Sequence, residues 1–196
     1  MRNPDLTKEK ILVESGSLFN TKGYKATSIS EITDATGYTK GAIYRHFESK
    51  DELEQEALLH LTNTMYGKLR TVIKEKMTAQ EKLRAVFHYF STYVTNPPII
   101  GGCPLLNVSV EADDAHPMLR KTAVRVLNVL RDSIVTIIEN GMKYKQLKST
   151  LDAVYYATII IACLEGAIMM SKLRGNDDDI NRVIEHLDGL IEEMEA

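Results

Sequence analysis

The sequence predicts an all-α fold of about nine helices. Apolar residues recur at intervals of three and four along nearly the whole chain, which is the period of an amphipathic helix, and no stretch alternates as a strand does. Three Ser/Thr-x-x-Glu patterns, beginning at Ser28, Ser49 and Thr78, mark helix starts. The 196 residues are 44% hydrophobic and 26% charged, a composition typical of a folded globular protein.

Four helices are predicted in the first part of the chain. The first runs from about Pro4 to Lys22, with Asn3 as its cap and Gly23 as the residue that ends it. Ser28 opens the second helix, and Thr39 caps the third after a sharp turn at glycine. A long fourth helix begins after Ser49. The second and third helices are short, so their arrangement depends on the turn between them.

Five further helices follow, separated by glycine and proline breaks. The most apolar stretch, 153–164, is shorter than the roughly 20 residues that span a bilayer, so it is predicted as a buried helix rather than a membrane segment. The first of these five helices is predicted to begin after Thr78, and the second covers 105–112. The other three run from Pro117 to Gly141, from Leu151 to Arg174 and from Asp177 to Met194.

Charge is distributed unevenly along the chain. The net charge of −3 excludes a protein that coats nucleic acid non-specifically, because such proteins are strongly basic. Segment 22–50 nevertheless carries five basic residues against three acidic ones, a surplus of two positive charges. A small basic patch on an acidic body is typical of sequence-selective DNA binding.

Residues 28–47 are predicted to form helix, tight turn and helix, the arrangement whose second helix enters the DNA major groove. By itself the pattern is weak evidence. Lys40 and Lys50 fall in the first turns of two helices, where a cation opposes the helix dipole by about 0.3–1 kcal/mol. Binding to DNA phosphates or bases would explain both positions, since helix N-termini also offer free N–H groups to anions.

A longer motif strengthens this interpretation. The run Phe19-x-x-x-Gly23-Tyr24-x-x-Thr27-Ser28-Ile29-x-x-Ile32, followed by Gly37-Tyr38-Thr39-Lys40-Gly41-Ala42-Ile43-Tyr44-x-His46-Phe47-x-Ser49-Lys50-x-x-Leu53, resembles the DNA-binding domain of the TetR family of repressors. The resemblance covers roughly residues 8–56. It departs at Thr33 and Tyr38, where the family usually has alanine and a small aliphatic residue.

The resemblance implies a role for each site residue. Thr27, Tyr44, His46 and Lys50 would contact phosphates, although Tyr44 also fits a core or capping aromatic. The base-facing residues would be Lys40, Gly41, Ala42 and Arg45, with Ser28 and Thr39 at the helix starts completing the predicted DNA-binding set. Lys and Arg can donate to guanine, and an alanine methyl can touch thymine.

The resemblance also implies two domains and their partners. Residues 1–50 would form the helix-turn-helix DNA-binding domain and 51–196 the ligand-binding and dimerisation domain. We expect a cytoplasmic homodimer that represses from a palindromic double-stranded operator and is released by a small hydrophobic inducer, with no enzymatic activity, cofactor, metal or membrane partner. Candidate ligand-binding residues are Phe87, Phe90, Tyr93, Cys103, Met118, Tyr155 and Met169, each of which also fits a packing role.

Two alternatives remain at this stage. Cys103 lies just before a predicted helix start, where a thiolate is favoured, so the chain could be an electrophile or redox sensor or a small helical enzyme. A free cysteine is more often a small buried hydrophobe. The other alternative is a dimeric DNA-organising protein without an inducer.

Overall fold

The computed structural model describes residues 4–196, with the side chains of 113–115 excepted, and it is built from helices. The predicted cap Asn3 lies outside the described residues. Among the described residues the only β-type pairing is an isolated bridge between Leu147 and Glu195. The helices in this part of the chain are α1 (Pro4–Lys22), α2 (Ile29–Thr36), α3 (Lys40–Ile43), α4 (Lys50–Lys74), α5 (Ala79–Thr95), α6 (Pro104–Ala115), α7 (Pro117–Lys143), α8 (Ala153–Arg174) and α9 (Asp178–Met194).

The all-α prediction is confirmed, and the helix bounds differ in two informative places. α6 extends beyond the predicted 105–112 at both ends, and it begins at Pro104 because proline is well suited to the first position of a helix. α3 stops at Ile43, although Phe47 was expected on the same helix. The N–H groups of His46 and Phe47 both donate to the Ile43 carbonyl, so the chain tightens and turns Phe47 into the core.

The helices group into two compact units. The first contains the residues up to Met65 together with Ile99–Val126. Its core contains an apolar cluster in which the Tyr24 ring stacks on Phe19 at 5.0 Å between centroids. This cluster is made of Ile11, Phe19, Tyr24, Ile32, Ile43, Phe47, Leu53, Ala57, Leu58, Val108, Ala112, Leu119 and Ala123. The cluster therefore joins α2 and α3 to α1, α4, α6 and α7.

The second unit contains Tyr66–Pro98 and Leu127–Ala196. Within it α5, α8 and α9 pack against one another. The core side chains they share include Leu83, Phe87, Phe90, Ile160, Leu164, Ile180, Leu187 and Ile191. The predicted functional boundary at residue 50 is a different division and stays a prediction.

The helix predicted from Leu151 to Arg174 forms as α8, but its apolar stretch, predicted as buried, is only partly buried. α8 has 22 residues, because the apolar run resumes after Glu165, and by length and composition alone it is a candidate membrane span. Only 33% of its most apolar window is buried within the unit. One face packs on α5 and α9, and the other exposes large apolar side chains.

The start of α2 is held by local bonds that its sequence pattern predicted. The Glu31 N–H donates to Ser28 Oγ at 3.3 Å, and the Ser28 N–H donates to the Glu31 carboxylate at 2.8 Å. Lys22 Nζ lies 2.8 Å from the same carboxylate. Hydrogen bonding from Lys22 and from the Ser28 backbone lowers the pKa of Glu31 from 4.5 to about 2.

This lowered pKa predicts an acid-dependent contribution to stability. Ionised Glu31 stabilises the fold fully above its unfolded pKa, and the contribution is lost as the pH falls toward about 2. We expect Glu31→Gln to lower the melting temperature at pH 7 and to lower it less at pH 3.5. Glu75→Gln, at an exposed carboxylate, is the control. An identical loss at both pH values for Glu31→Gln would contradict the proposed linkage.

Candidate nucleic-acid interface

The turn between α2 and α3 sets the direction of α3. Gly37 adopts φ 70°, a left-handed conformation that glycine reaches without strain, and its N–H donates to the Thr33 carbonyl at 2.9 Å. Thr39 then caps α3, with its Oγ1 accepting the Ala42 N–H at 3.2 Å. Ile32 and Ile43 are fully buried. The helix pair is therefore fixed by its own caps and by the core beneath it.

The predicted base-reading residues lie on the outer side of α3 and the turn after it. Lys40, Gly41, Tyr44 and Arg45 are exposed, and Ala42 is half-buried. Neither Lys40 nor Arg45 forms an ion pair with another residue of the described chain. Lys40 Nζ instead lies 5.8 Å from the centre of the Tyr44 ring. Two cations without carboxylate partners thus lie on one surface. On the same surface the backbone at Gly41 is not covered by a side chain.

Tyr44 had two interpretations, and its position favours the surface one. Its side chain is 38% exposed, whereas the neighbouring core positions are filled by Ile43 and Phe47. The His46 ring is half-buried and lies 6.4 Å from Phe47. The phosphate contacts assigned to both rings stay predictions.

The side chains of Thr27 and Lys50 form hydrogen bonds, and for Lys50 also an ion pair, within the first unit. Thr27 is 1% exposed, and its hydroxyl and its N–H both donate to the Gly23 carbonyl, at 2.7 and 3.2 Å. Lys50 Nζ donates to the Tyr24 carbonyl at 2.8 Å and pairs with Glu54 at 3.0 Å. Folding therefore explains both residues, and their phosphate contacts stay predictions.

Ser28 and Thr39 act first as helix caps. The Ser28 hydroxyl donates to the Glu31 carboxylate at 2.9 Å, which uses its only proton. Thr39 Oγ1 accepts from Ala42 and keeps its proton for an outside acceptor. Both residues are exposed at the N-terminal ends of their helices.

A contribution from α6 has no counterpart among the sequence predictions. The Glu111 carboxylate accepts the N–H groups of Tyr24 and Lys25 at 3.2 and 3.1 Å. These two residues form the turn between α1 and α2, so an acidic side chain far along the chain holds the entrance to the helix-turn-helix. No local pattern could indicate this pairing, because its partners are 86 or more residues apart.

A second link joins α1 to the loop before α6. Asn20 Nδ2 donates to the carbonyls of Ile100 and Gly102 at 2.7 and 3.0 Å. Asn107 Nδ2 lies 3.0 Å from Asn20 Oδ1 and 3.1 Å from the Gly101 carbonyl. The paired glycines in this loop were the available sequence signal, since glycine often marks a close backbone approach.

The seven candidate ligand-binding residues are not gathered around one cavity within either unit. Phe87, Phe90 and Tyr93 are fully buried, and the last two rings are 5.8 Å apart. Tyr155 and Met169 are exposed on α8. The remaining two, Cys103 and Met118, belong to the first unit, where one is buried and the other exposed. Their ligand role stays a prediction.

The second unit contains a cavity of about 620 Å³, lined by residues of α4, α5 and α7 and the segments beside them. None of the seven candidates lines it. The lining residues are Tyr66, Leu69, Arg70, Ile73, Lys74, Met77, Ala79, Lys82, Val129, Leu130, Ser133, Thr136, Ile137, Asn140, Gly141, Tyr144 and Gln146.

The burial of Cys103 indicates a structural role. It stands at the cap position of α6 but makes no side-chain capping bond, and it is 1% exposed. Burial limits the access of an oxidant or electrophile to the thiol. Cys163 is partly exposed on α8.

Comparison with known proteins agrees with this geometry. Residues 11–57 match the family of bacterial regulatory proteins of the tetR type, and residues 79–187 match the tetracyclin repressor-like C-terminal domain. A TetR transcriptional regulator from Chloroflexus aurantiacus superposes with a TM-score of 0.94 at 33% identity, over 100% of this chain and 98% of that one.

Two further proteins are informative. The HTH-type transcriptional repressor DhaR of a Mycobacterium species is 24% identical over 88% of this chain and 86% of its own. The TetR-family regulator CifR, as a cysteine mutant complexed with double-strand operator DNA, has a TM-score of 0.83 at 19% identity, over 92% of this chain and 94% of that one. The domain matches and the Chloroflexus likeness are decisive: the chain belongs to the TetR family of transcriptional regulators, and is not an enzyme.

Proposed function

We propose that the protein is a homodimeric repressor that inserts α3 into the major groove of a two-fold symmetric operator and is released by a small molecule. One observation carries the proposal: Lys40 on α3 and Arg45 in the turn after it are exposed and have no ion-pair partners among the described residues, and α3 is held by internal caps. The DhaR and CifR likenesses support it, as a named repressor and an operator-bound regulator. Such a regulator works in the cytoplasm, where the DNA is.

The side chains of α3 suit base edges of different kinds. Lys40 and Arg45 can donate to guanine O6 and N7, and the Ala42 methyl can meet a thymine methyl. A Cβ added at Gly41 would meet no heavy atom within 4 Å, so this glycine is not required by the fold. Because Gly41 has no side chain, a DNA strand can approach the backbone closely there.

A footprint on the DNA flanking the protein's own gene, at two salt concentrations, tests the proposal. We expect one short protected sequence with two-fold symmetry and weaker binding at higher salt, because phosphate contacts release counterions. Protection without sequence preference would instead indicate a DNA-organising protein, and no protection at either salt concentration would contradict DNA binding.

The homodimer is supported by the exposed face of α8. Residues spaced by three and four along this face are open to solvent, and two of them are small. Small residues allow the backbones of two helices to approach closely. The exposed face comprises Tyr155, Thr158, Ala162, Gly166, Met169 and Leu173, of which Gly166 alone is half-buried.

A charge at the centre of this face is expected to prevent dimerisation. Ala162 is exposed in the second unit, so Ala162→Glu leaves the protomer folded but places an unpaired carboxylate in the helix–helix interface. Sedimentation at micromolar concentration should give a dimer for the native protein and a monomer for Ala162→Glu. Val110→Glu, at another strongly exposed apolar position, should remain dimeric. A dimeric Ala162→Glu would place the interface elsewhere.

Release by a ligand is proposed through α4. This helix begins at Lys50, beside the helix-turn-helix, and its C-terminal part supplies Leu69 and Ile73 to the cavity wall. A ligand that favours a different position of α4 would alter the spacing of the two α3 helices. A coupling of about 1–3 kcal/mol would weaken operator binding roughly 5–150-fold.

A further inference from the structure

The cavity of the second unit has an unusual charge. Arg70 and Lys74 on α4 and Lys82 on α5 line it, and no Asp or Glu is among its lining residues. None of the three forms an ion pair with any residue in the described part of the chain. In the same unit Arg84, by contrast, pairs with Asp188 at 3.2 Å. The cavity therefore collects positive charge that the protein itself does not neutralise.

Helix formation accounts for only one of these cations. Lys74 lies in the last turn of α4, where the helix dipole favours a positive charge. Lys82 lies near the N-terminal end of α5, where the dipole opposes it. Arg70 and Lys74 are four residues apart on one helix, and like charges at that spacing repel. Arg70 and Lys74 are exposed, so solvent screens this repulsion, but an anion between them would still be attracted by both.

The rest of the lining combines apolar side chains with hydrogen-bonding ones. Leu69, Ile73, Leu130 and Ile137 provide aliphatic surface, and Ser133 and Thr136 on α7 provide hydroxyls. The volume of about 620 Å³ lies within the roughly 300–1,000 Å³ usual for small-molecule sites. A ligand that matches both parts has an apolar body and one anionic end.

We propose that this cavity binds an amphipathic organic anion, with its head group at Arg70, Lys74 and Lys82 and its apolar body against the leucine and isoleucine side chains. The binding itself stands on the cavity alone. Its regulatory consequence rests on the proposed function, since only a DNA-bound repressor can be released. This ligand class adds an anionic end to the small hydrophobic inducer expected from the sequence.

Calorimetry of three chain-matched probes tests the site, and it suits a protein that contains no tryptophan. Decanoate, decyl phosphate and decan-1-ol are titrated separately, the two anions below their critical micelle concentrations and the alcohol below its solubility limit. We expect saturable binding of the anions and at least about tenfold weaker binding of the alcohol, the difference that a charge-assisted contact makes. Comparison of decanoate with decyl phosphate identifies the preferred head group.

A double variant assigns the binding to these side chains. Arg70→Gln with Lys74→Gln should weaken anion binding about tenfold or more and leave alcohol binding unchanged. Lys121→Gln with Arg125→Gln removes two exposed cations of α7 outside the cavity, and should bind the anions as the native protein does. Circular dichroism confirms that both variants are folded.

Three results would overturn the site: no saturable binding of either anion, equal binding of the alcohol, or unchanged binding by Arg70→Gln with Lys74→Gln. Operator binding with and without decanoate is measured separately. Anion binding that leaves the operator affinity unchanged supports the site and contradicts release, so failure of the site and failure of the proposed function are distinguishable.

Discussion

Replacing Lys40 and Arg45 together with glutamine is expected to weaken operator binding about hundredfold, since each lost contact to a base is worth about 1–3 kcal/mol. Both side chains are exposed and unpaired within the described residues, so the fold has no need of their charges. The dimer and the helical content should be unchanged. Fluorescence anisotropy with the footprinted duplex gives the Kd for each protein.

The control separates base recognition from simple loss of charge. Lys121→Gln with Arg125→Gln also removes two positive charges, but from the exposed side of α7 in the same unit. We expect this control to change the operator Kd little and the Lys40/Arg45 variant to lose the preference for operator over a scrambled duplex. Equal losses in the two variants would mean that α3 contributes only general positive charge.

Gly101→Ala is expected to destabilise the first unit by roughly 3 kcal/mol. Gly101 has φ +92°, a conformation that costs an L-residue about 1–2 kcal/mol. An added Cβ would also lie 2.5 Å from the Asn20 carbonyl oxygen. The backbone must then move apart and disturb the bonds from Asn20 and Asn107, each worth about 1 kcal/mol.

Gly175→Ala is the matched control for this prediction. Gly175 has φ +69°, but an added Cβ would meet no heavy atom within 4 Å, so only the conformational cost of about 1–2 kcal/mol applies. Urea unfolding followed by circular dichroism measures both variants. If the two substitutions cost the same, the approach between α1 and the loop before α6 does not contribute to stability as described.

Features encoded by neighbouring residues were predictable from the sequence. The capping boxes at Ser28 and Thr78 and the limits of α1 form as expected, because both partners of each interaction lie within one helical turn. The outward position of Lys40 and Arg45 follows from the burial of Ile32 and Ile43 on the opposite side. Local periodicity and capping thus determine most of the helix-turn-helix.

Contacts between distant residues were not predictable in the same way. Lys50 seemed to need an outside anion, but Glu54 and the Tyr24 carbonyl supply its partners. Glu54 itself is buried, which raises the pKa of its carboxyl, while Lys50 acts in the opposite direction. The presence of a cation at a helix start was therefore weaker evidence for DNA at Lys50 than at Lys40.

The ligand prediction shows the same limit. Aromatic residues of α5 were chosen because such residues often line pockets, yet Phe87 and Phe90 fill the core between helices. The cavity is instead lined by Leu69, Arg70 and other residues whose helices are separated along the chain. Hydrophobic periodicity identifies a buried face but does not tell whether protein or ligand covers it.

Methylation protection of guanine N7 in the footprinted operator tests the central claim most directly, because N7 lies in the major groove. With α3 of each protomer in that groove, we predict protected guanines in two half-sites about 34–36 Å apart along one face of the duplex. The Lys40/Arg45 variant should lose this protection at saturating concentration. Bound operator whose guanines remain fully reactive would contradict the reading of DNA by α3.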